Sequence, residues 1–324
     1  MKILVSRRVA ETYGDRILAA DSHAELIVPS VVDGSVAWSG DVSAAEVCCF
    51  SEDLWQEEDL RRLVLPAVFR LEGLRWFHTF SAGVDYPAFQ ALIDHGTLLT
   101  NSSGAAAPAI AQYVLAMMLD RTKRIGEWRE QQRRREWRPI PVGELTGQTA
   151  GIIGTGAIGG EVARLAQAFG MRVLGVRRSA RRSRYVDEQL PLARLDDLLA
   201  RSDFVVLACP LTKETEGLIG ERELRMMKPS ATLINIARGR VVREDALVRA
   251  LHEGWIAGAC LDVFEEEPLP ETSALWSLPG VVVTPHNAGF SPLNMERQIA
   301  LFLDNLARLV AGKPLRNRVL HAGA

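Results

Sequence analysis

The chain has little cysteine. Its 324 residues include only Cys48, Cys49, Cys209 and Cys260, and none of them forms a CxxC pair or a zinc-ligand spacing. A disulfide framework and a structural zinc site are therefore excluded, no metal is expected, and the thiols read as buried and reduced, as in a cytoplasmic protein. Adjacent Cys48 and Cys49 should point to opposite faces of a strand. Charge of one sign is also missing: 38 Lys and Arg stand against 40 Asp and Glu. No whole-molecule field gathers nucleic acid or a membrane surface. Long apolar runs are absent too, with nothing near the roughly 18 residues that span a bilayer. The opening MKILVS, ended by Arg7 and Arg8, is too short for the core of a signal peptide.

Apolar residues make up 48% and charged residues 24%, a globular balance that excludes disorder, and the length suits two domains. In the first hundred residues, Lys2–Val5, Val47–Phe50, Leu74–Thr79 and Thr97–Thr100 read as strands, with helices over Leu54–Leu65 and Pro87–His95. Such alternation predicts parallel strands with crossover helices. A long apolar helix follows at Ala105–Leu119. After it, Arg121–Arg138 is rich in Arg and Glu and carries Trp128 and Trp137. Its glutamates predict a solvated face of Glu–Arg pairs at a subunit contact rather than a nucleic-acid surface.

A second strand–helix series starts at Thr149. Its strands are Thr149–Ile153, Arg172–Val176, Phe204–Ala208, Ala231–Ile236, Ile256–Leu261 and Val281–Val283, six in all, as a doubly wound nucleotide-binding sheet requires. The last helix, about Leu293–Val310, comes after this set and is expected to return to the first domain. The expected division is a substrate domain of residues 1–99 and 290–324, and a cofactor domain of residues 100–289.

Between strand TAGII and the next helix stands Gly154-Thr155-Gly156-Ala157-Ile158-Gly159, a GxGxxG in the context the motif requires. Gly154 permits the turn, Gly156 lets the backbone near a pyrophosphate, and Gly159 lets helix and strand pack closely. The N–H groups of Ala157 and Ile158 open the helix that faces the phosphates. At the end of the following strand, NAD enzymes usually carry an acid for the ribose hydroxyls. Here the chain reads Arg177-Arg178-Ser179, then Arg181, Arg182 and Arg184, with no acid before Asp187. Guanidinium groups bind a 2′-phosphate that a carboxylate would repel. NADP(H) is expected over NAD(H); the alternative is an exposed basic loop that tolerates either.

Three segments follow predicted strands: Asn235-Ile236-Ala237-Arg238-Gly239-Arg240, Leu261-Asp262-Val263-Phe264-Glu265-Glu266-Glu267-Pro268, and Thr284-Pro285-His286-Asn287-Ala288-Gly289. Open α/β sheets bind ligands at those strand ends. With Ser81-Ala82-Gly83-Val84-Asp85 and Cys209-Pro210-Leu211-Thr212 followed by Thr215, they resemble the D-isomer-specific 2-hydroxyacid dehydrogenases along nearly the whole chain. Arg238, Glu267 and His286 stand in the ordered spacing of that family. The resemblance implies a Rossmann-type cofactor domain beside a flavodoxin-like substrate domain, a cleft that closes over the reaction, and a homodimer. It implies cofactor contacts at Pro210, Thr215, Ala237 and Asp262, the last near the nicotinamide carboxamide. It also implies a substrate carboxylate held by backbone N–H groups near Ala82 and Gly83.

Reducing a 2-keto acid needs a hydride at the carbonyl carbon and a proton at its oxygen. Arg238 can clamp the carboxylate and polarise the carbonyl. His286 can exchange the proton. Glu267 can hold the other ring nitrogen and favour the imidazolium. Singly, each reads as a loop ion pair, a solvated turn or a strand cap; together they read as a site. Gln112 departs from the family's usual Glu, and Asn287 from its usual apolar residue. The expected activity is an NADP(H)-dependent reductase of small 2-keto acids, of the glyoxylate or hydroxypyruvate type. The alternatives are a dehydrogenase for bulkier keto acids and, from another class, a dinucleotide-sensing binding protein on the same fold. Phe50-Ser51-Glu52-Asp53-Leu54-Trp55 is expected to border the pocket, with the acidic pair disfavouring phosphorylated acids if it faces inward.

Overall fold

The computed structural model describes residues 1–84, 87–178 and 183–320. The chain forms two compact units, Met1–Ala106 with Ser291–Ala324, and Ala107–Phe290.

Unit 1 is built on β1 (Lys2–Leu4), β2 (Glu25–Ile27), β5 (Val47–Phe50), β6 (Trp76–Thr79) and β7 (Leu98–Asn101), with an antiparallel hairpin of β3 (Pro29–Val32) and β4 (Ser35–Trp38) set apart. The sheet runs β7-β6-β5-β1-β2, all parallel, with the short strand Arg318–Val319 antiparallel at the β7 edge. The strand order changes direction between β1 and β5, as in flavodoxin-like folds. Because successive side chains alternate faces, Leu4, Cys48, Phe50 and Phe77 enter one core cluster, and Ile3, Val47, Cys49 and Trp76 enter another. Cys48 and Cys49 thus do point opposite ways, both as buried free thiols.

Helix α1 (Arg7–Ala20) has a weaker sequence signal, since it buries only Val9, Gly14 and Ile17. Ser6 starts it by accepting the Val9 N–H at 3.0 Å. The helix expected over Leu54–Leu65 is two, α2 (Glu52–Gln56) and α3 (Glu58–Val68). Glu57 breaks them with extended backbone, and Glu58 and Asp59 then suit the α3 N-terminus. Helix α4 (Pro87–Asp94) and the helix Pro292–Val310 complete the unit.

Unit 2 has α5 (Ala107–Lys123), α6 (Ile125–Arg134), and strands β8 (Thr149–Ile153), β9 (Arg172–Val176), β10 (Glu188–Leu190), β11 (Phe204–Leu207), β12 (Thr232–Asn235), β13 (Gly258–Leu261) and β14 (Val281–Val283). All pair in parallel in the order β10-β9-β8-β11-β12-β13-β14. There are seven strands, not the six expected. The additional one, EQL, is a three-residue edge strand whose outward residues are polar, so it has no apolar run to reveal it. The inner strands β11, β12 and β13 are buried along their length, because helices α7 (Ala157–Ala168), α8 (Leu195–Arg201), α9 (Glu221–Met226) and α10 (Glu244–His252) cover the sheet. The basic stretch after Leu119 is not one helix to Arg138. Arg124 turns left-handed (φ 55°) and separates α5 from α6. Its arginines pair with Glu127 and Glu130, as interspersed charges predict. No described helix is long and apolar enough to cross a membrane.

One buried network in unit 1 carries a pH dependence. His78 is 2% exposed, its Nδ1 against the Thr100 hydroxyl at 2.8 Å and its Nε2 against the Ser102 hydroxyl at 3.1 Å. Trp76 Nε1 also donates to Thr100. Burial pushes the His78 imidazole down from 6.5 to about 3. The folded chain therefore holds His78 neutral, while the unfolded chain protonates it below pH 6.5. The stability from this site is complete above pH 6.5 and is lost as pH falls from there towards 3, at about 1.4 kcal/mol per unit. Urea unfolding across this range should show a slope one proton shallower in His78→Asn than in wild type.

Candidate active site

The carboxyl ends of the unit 2 strands carry every site residue expected of this unit. After β8 the chain turns at Gly154 (φ 98°) and enters α7 at Gly156. A Cβ on Gly159 would lie 2.0 Å from the Gly154 carbonyl oxygen, so helix and turn touch there. A Cβ on Gly156 would meet nothing within 4 Å. Gly156 and Ala157 are exposed, Ile158 is half-buried, and no side chain caps the helix. Open space over a bare helix N-terminus, with unclaimed N–H donors and partial positive charge, fits a pyrophosphate. Thr155, inside the motif, is buried and donates to Gln189, so it serves the turn rather than the cradle.

Arg177 and Arg178 follow directly on β9, half-buried and exposed respectively, while Ser179–Arg182 lie outside the described residues. Arg178 acts on Glu214, whose carboxyl is held low first by the Thr212 hydroxyl and further by Arg178. Pro210 is exposed beside this turn. The Thr215 hydroxyl closes it, donating to the Pro210 carbonyl at 2.6 Å and accepting the Thr212 N–H at 2.8 Å. Arg178 after β9 and the turn after β11 are thus electrostatic neighbours.

Three further loops carry Arg238, Glu267 and His286, the candidate catalytic groups. Asn235, 1% exposed at the end of β12, accepts the Ala237 N–H at 3.1 Å and donates to the Arg238 carbonyl at 3.1 Å. This fold-back sets Arg238, which is half-buried and donates from its guanidinium to the Ala237 carbonyl. Next to it, a Cβ on Gly239 would lie 1.8 Å from the backbone carbon of Phe264. Only glycine lets the Arg238 loop lie against the loop that bears Glu267. Glu267 accepts the Phe264 N–H through Oε1 at 3.0 Å and His286 Nδ1 through Oε2 at 2.8 Å. Burial raises its pKa, but the His286 hydrogen bond and charge, the Phe264 N–H and Arg238 outweigh that, and Glu267 stays below the ordinary carboxylate range.

His286 itself has φ 52°, the left-handed region that a branched or bulky residue avoids. Its turn is tied to Asp262. Oδ1 of Asp262 accepts the Thr284 hydroxyl at 2.6 Å and the Asn287 N–H at 3.0 Å, and Oδ2 accepts the Ala288 N–H at 3.0 Å. Asp262 is 3% exposed, and burial lifts its carboxyl against the pull of those bonds. Asn235 and Thr284 open two of the segments singled out in the sequence, but no role was assigned to either. The one available signal was position: an Asn that can close an Asx turn, and a Thr at the start of a strand-end loop.

In unit 1, the Ser81–Val84 loop follows β6, and Asp85 lies outside the described residues. Asn101 donates to the Ala82 carbonyl at 2.8 Å, and the Ser81 hydroxyl donates to the Gly83 carbonyl at 2.6 Å. Both carbonyls are thus hydrogen-bonded within the unit. Glu52 turns into the unit, 7% exposed, and takes hydrogen bonds from Gln56 at 3.1 Å and Gln298 at 3.4 Å; Asp53 accepts the Ser51 hydroxyl.

Residues 115–288 match the model of the D-isomer specific 2-hydroxyacid dehydrogenase NAD binding domain. A glyoxylate reductase of Thermococcus gammatolerans is 38% identical over 269 residues, spanning 73% of this chain and 80% of its own. The chain belongs to the D-isomer specific 2-hydroxyacid dehydrogenase family. A family member from Xanthobacter autotrophicus, solved with NADPH and MES, superposes with TM-score 0.80 at 29% identity, covering 98% of this chain and 97% of its own. An NADPH-dependent glyoxylate/hydroxypyruvate reductase of Sinorhizobium meliloti, solved with NADP and sulfate, gives TM-score 0.79 at 26% identity, covering 100% and 99%. Like other members, this dehydrogenase transfers hydride between a nicotinamide dinucleotide and a 2-hydroxy or 2-keto acid.

The Gly239 contact makes a direct test of how this dehydrogenase assembles its reactive loops. Gly239→Ala should force the Arg238 and Phe264 loops apart and lower turnover roughly a hundredfold. Dinucleotide binding, measured by fluorescence titration, should weaken much less than turnover falls, because the α7 N-terminus is untouched and only the loops beside Ala237 and Asp262 move.

Proposed function

We propose that this chain reduces small 2-keto acids of the glyoxylate and hydroxypyruvate type with NADPH. The observation that carries the reading is the 2.8 Å bond between His286 Nδ1 and Glu267 Oε2, with Arg238 on the adjoining loop. Glu267 commits Nδ1, which makes Nε2 the nitrogen that exchanges a proton with the substrate oxygen. Glu267, kept ionised, steadies the imidazolium of the reducing direction. Arg238 pairs with the substrate carboxylate and polarises the carbonyl, raising the electrophilicity of its carbon. The N–H groups near Ala82 and Gly83 are the proposed backbone anchor of that carboxylate. The bound nicotinamide supplies the hydride.

On this reading unit 2 is the cofactor domain and unit 1 the substrate domain. Gly154, Gly156, Ala157, Ile158 and Gly159 receive the pyrophosphate, and Pro210, Thr215, Ala237 and Asp262 line the dinucleotide. Arg177 and Arg178, with no acid beside them on the strand end, favour the 2′-phosphate of NADP(H). The NADPH and NADP in the Xanthobacter and Sinorhizobium structures support the same preference. With glyoxylate or hydroxypyruvate, NADPH absorbance should fall quickly in wild type. In His286→Ala it should fall at least about a hundredfold more slowly. The double variant Arg177→Ser, Arg178→Ser should raise the KM for NADPH at least about tenfold and leave that for NADH nearly unchanged. An NADH preference in wild type would overturn the cofactor assignment alone.

We further propose a cytoplasmic homodimer. The free thiols of Cys48, Cys49, Cys209 and Cys260 suit a reducing compartment. The inward face of α5 is spent on its own unit through Ala111, Val114, Leu115 and Met118. Trp128 on α6 is 43% exposed, and Trp137 and Val142 beyond it are 99% and 42% exposed. Large apolar groups so exposed support a protein interface. Light scattering should report a mass of two chains, and Trp137→Ser should shift it towards one.

A further inference from the structure

We propose that Tyr113 is a positioning residue for His286, acting through the Thr284 hydroxyl and the Asp262 carboxylate. The inference rests on the dehydrogenase reading and adds a residue that its catalytic set does not contain. Tyr113 lies on α5, in sequence 171 residues from Thr284, and its hydroxyl meets Thr284 Oγ1 at 2.9 Å. The Thr284 hydroxyl has one proton and gives it to Asp262 at 2.6 Å. Tyr113 is therefore the donor to Thr284, and the chain of bonds runs in one direction, from Tyr113 to Thr284 to Asp262. The same carboxylate then accepts the Asn287 and Ala288 N–H groups. Those two bonds close the turn that holds His286 left-handed, with Nδ1 against Glu267.

Such a chain is cooperative, since each donor is polarised by the one behind it. Without the Tyr113 hydroxyl, Thr284 is left with an unclaimed lone pair and freedom to rotate. Asp262 then loses the grip of its shortest donor and protonates more readily in its buried place. A protonated Asp262 turns one acceptor oxygen into a donor that faces backbone N–H groups, and the turn loosens. The charged or titratable groups around this network are few. His286 acts on Asp262, Asp262 and Cys260 act on Tyr113, and Arg238 and His286 act on Glu267. Tyr113 and Cys260 are raised by burial, so neither ionises near neutral pH. Burial already lifts the Asp262 carboxyl, so it is the member of the chain whose charge the loss of a donor would disturb.

The test is Tyr113→Phe, which keeps the ring and removes the hydroxyl, beside Thr284→Val and the conservative Thr284→Ser. Tyr113→Phe should lower kcat about fivefold on the acid limb of the pH profile and less than about twofold on its plateau. The acid limb of kcat moves to higher pH, while KM for NADPH and for the keto acid stays within twofold. Thr284→Val should reproduce the effect, adding Tyr113→Phe to it should change little more, and Thr284→Ser should restore the profile. Hydrogen–deuterium exchange supplies a readout that needs no turnover: at pH 6 the 284–288 segment should exchange several-fold faster in Tyr113→Phe, with the rest of unit 2 unchanged. If wild type reduces no keto acid, the dehydrogenase reading fails, and the exchange measurement still decides the positioning role. A wild-type pH profile and wild-type exchange in Tyr113→Phe would overturn it. A loss equal at all pH values, with faster exchange throughout unit 2, would overturn it as well.

Discussion

Asp262 has two carboxylate oxygens and three close donors, and the turn that carries His286 hangs on that arrangement. His286 is held in a backbone region that costs about 1–3 kcal/mol for a residue with a side chain of its size. A hydrogen bond to a charged acceptor contributes about 1.5–3 kcal/mol. Two such bonds reach the turn's own backbone, so together they exceed the strain. The cost is carried by a carboxylate that is buried at the end of β13 and cannot turn to water. Strain in this case is a means of aim: the left-handed residue directs Nδ1 at Glu267.

The same logic recurs at the loop before it. Asn235 folds the chain back on itself so that Arg238 leaves the end of β12 at a set angle, and Gly239 lets that loop touch the one after β13. None of Arg238, Glu267 and His286 stands on a strand or helix. Each is on a loop, and each loop is pinned by a buried polar side chain or a backbone contact at the sheet edge. A parallel sheet supplies this geometry without further device, because all its strands end on one edge with their loops side by side. Chemistry that needs a cation, a carboxylate and an imidazole can be drawn from three crossover units, and the rigid sheet holds them in register.

Much of this was legible in the residue order. The central strands of unit 2 are short apolar runs between turn residues, and Thr149–Ile153, Arg172–Val176 and Val281–Val283 run over the residues expected of them. The GxGxxG stands where a strand passes into a helix, and the Arg–Glu–His order carries the family. Elements with weak apolar patterning were not legible. The strand Glu188–Leu190 has one buried residue, and α1 buries three of fourteen. The break at Arg124 inside a charged helical run also leaves no mark, since Arg is a good helix former and the partners of its side chain, Glu127 and the Pro141 carbonyl, are set by the folded chain.

The sequence by itself determined the fold class and the family, and marked the candidate cradle and the Arg238, Glu267 and His286 set, because each is written in local spacing: apolar runs between turns, glycines where backbone must approach backbone, and polar residues just past strand ends. Tertiary structure alone decided which groups hold the reactive ones in place. Tyr113 and Thr284 are far apart in the chain, and nothing local to either residue predicts their hydrogen bond. The inward turn of Glu52 and the neutrality of His78 were likewise decided by burial, which depends on what the rest of the chain packs around them. A motif records what a residue can do; only the folded neighbourhood fixes its direction, its dielectric surroundings and the partner that holds its proton.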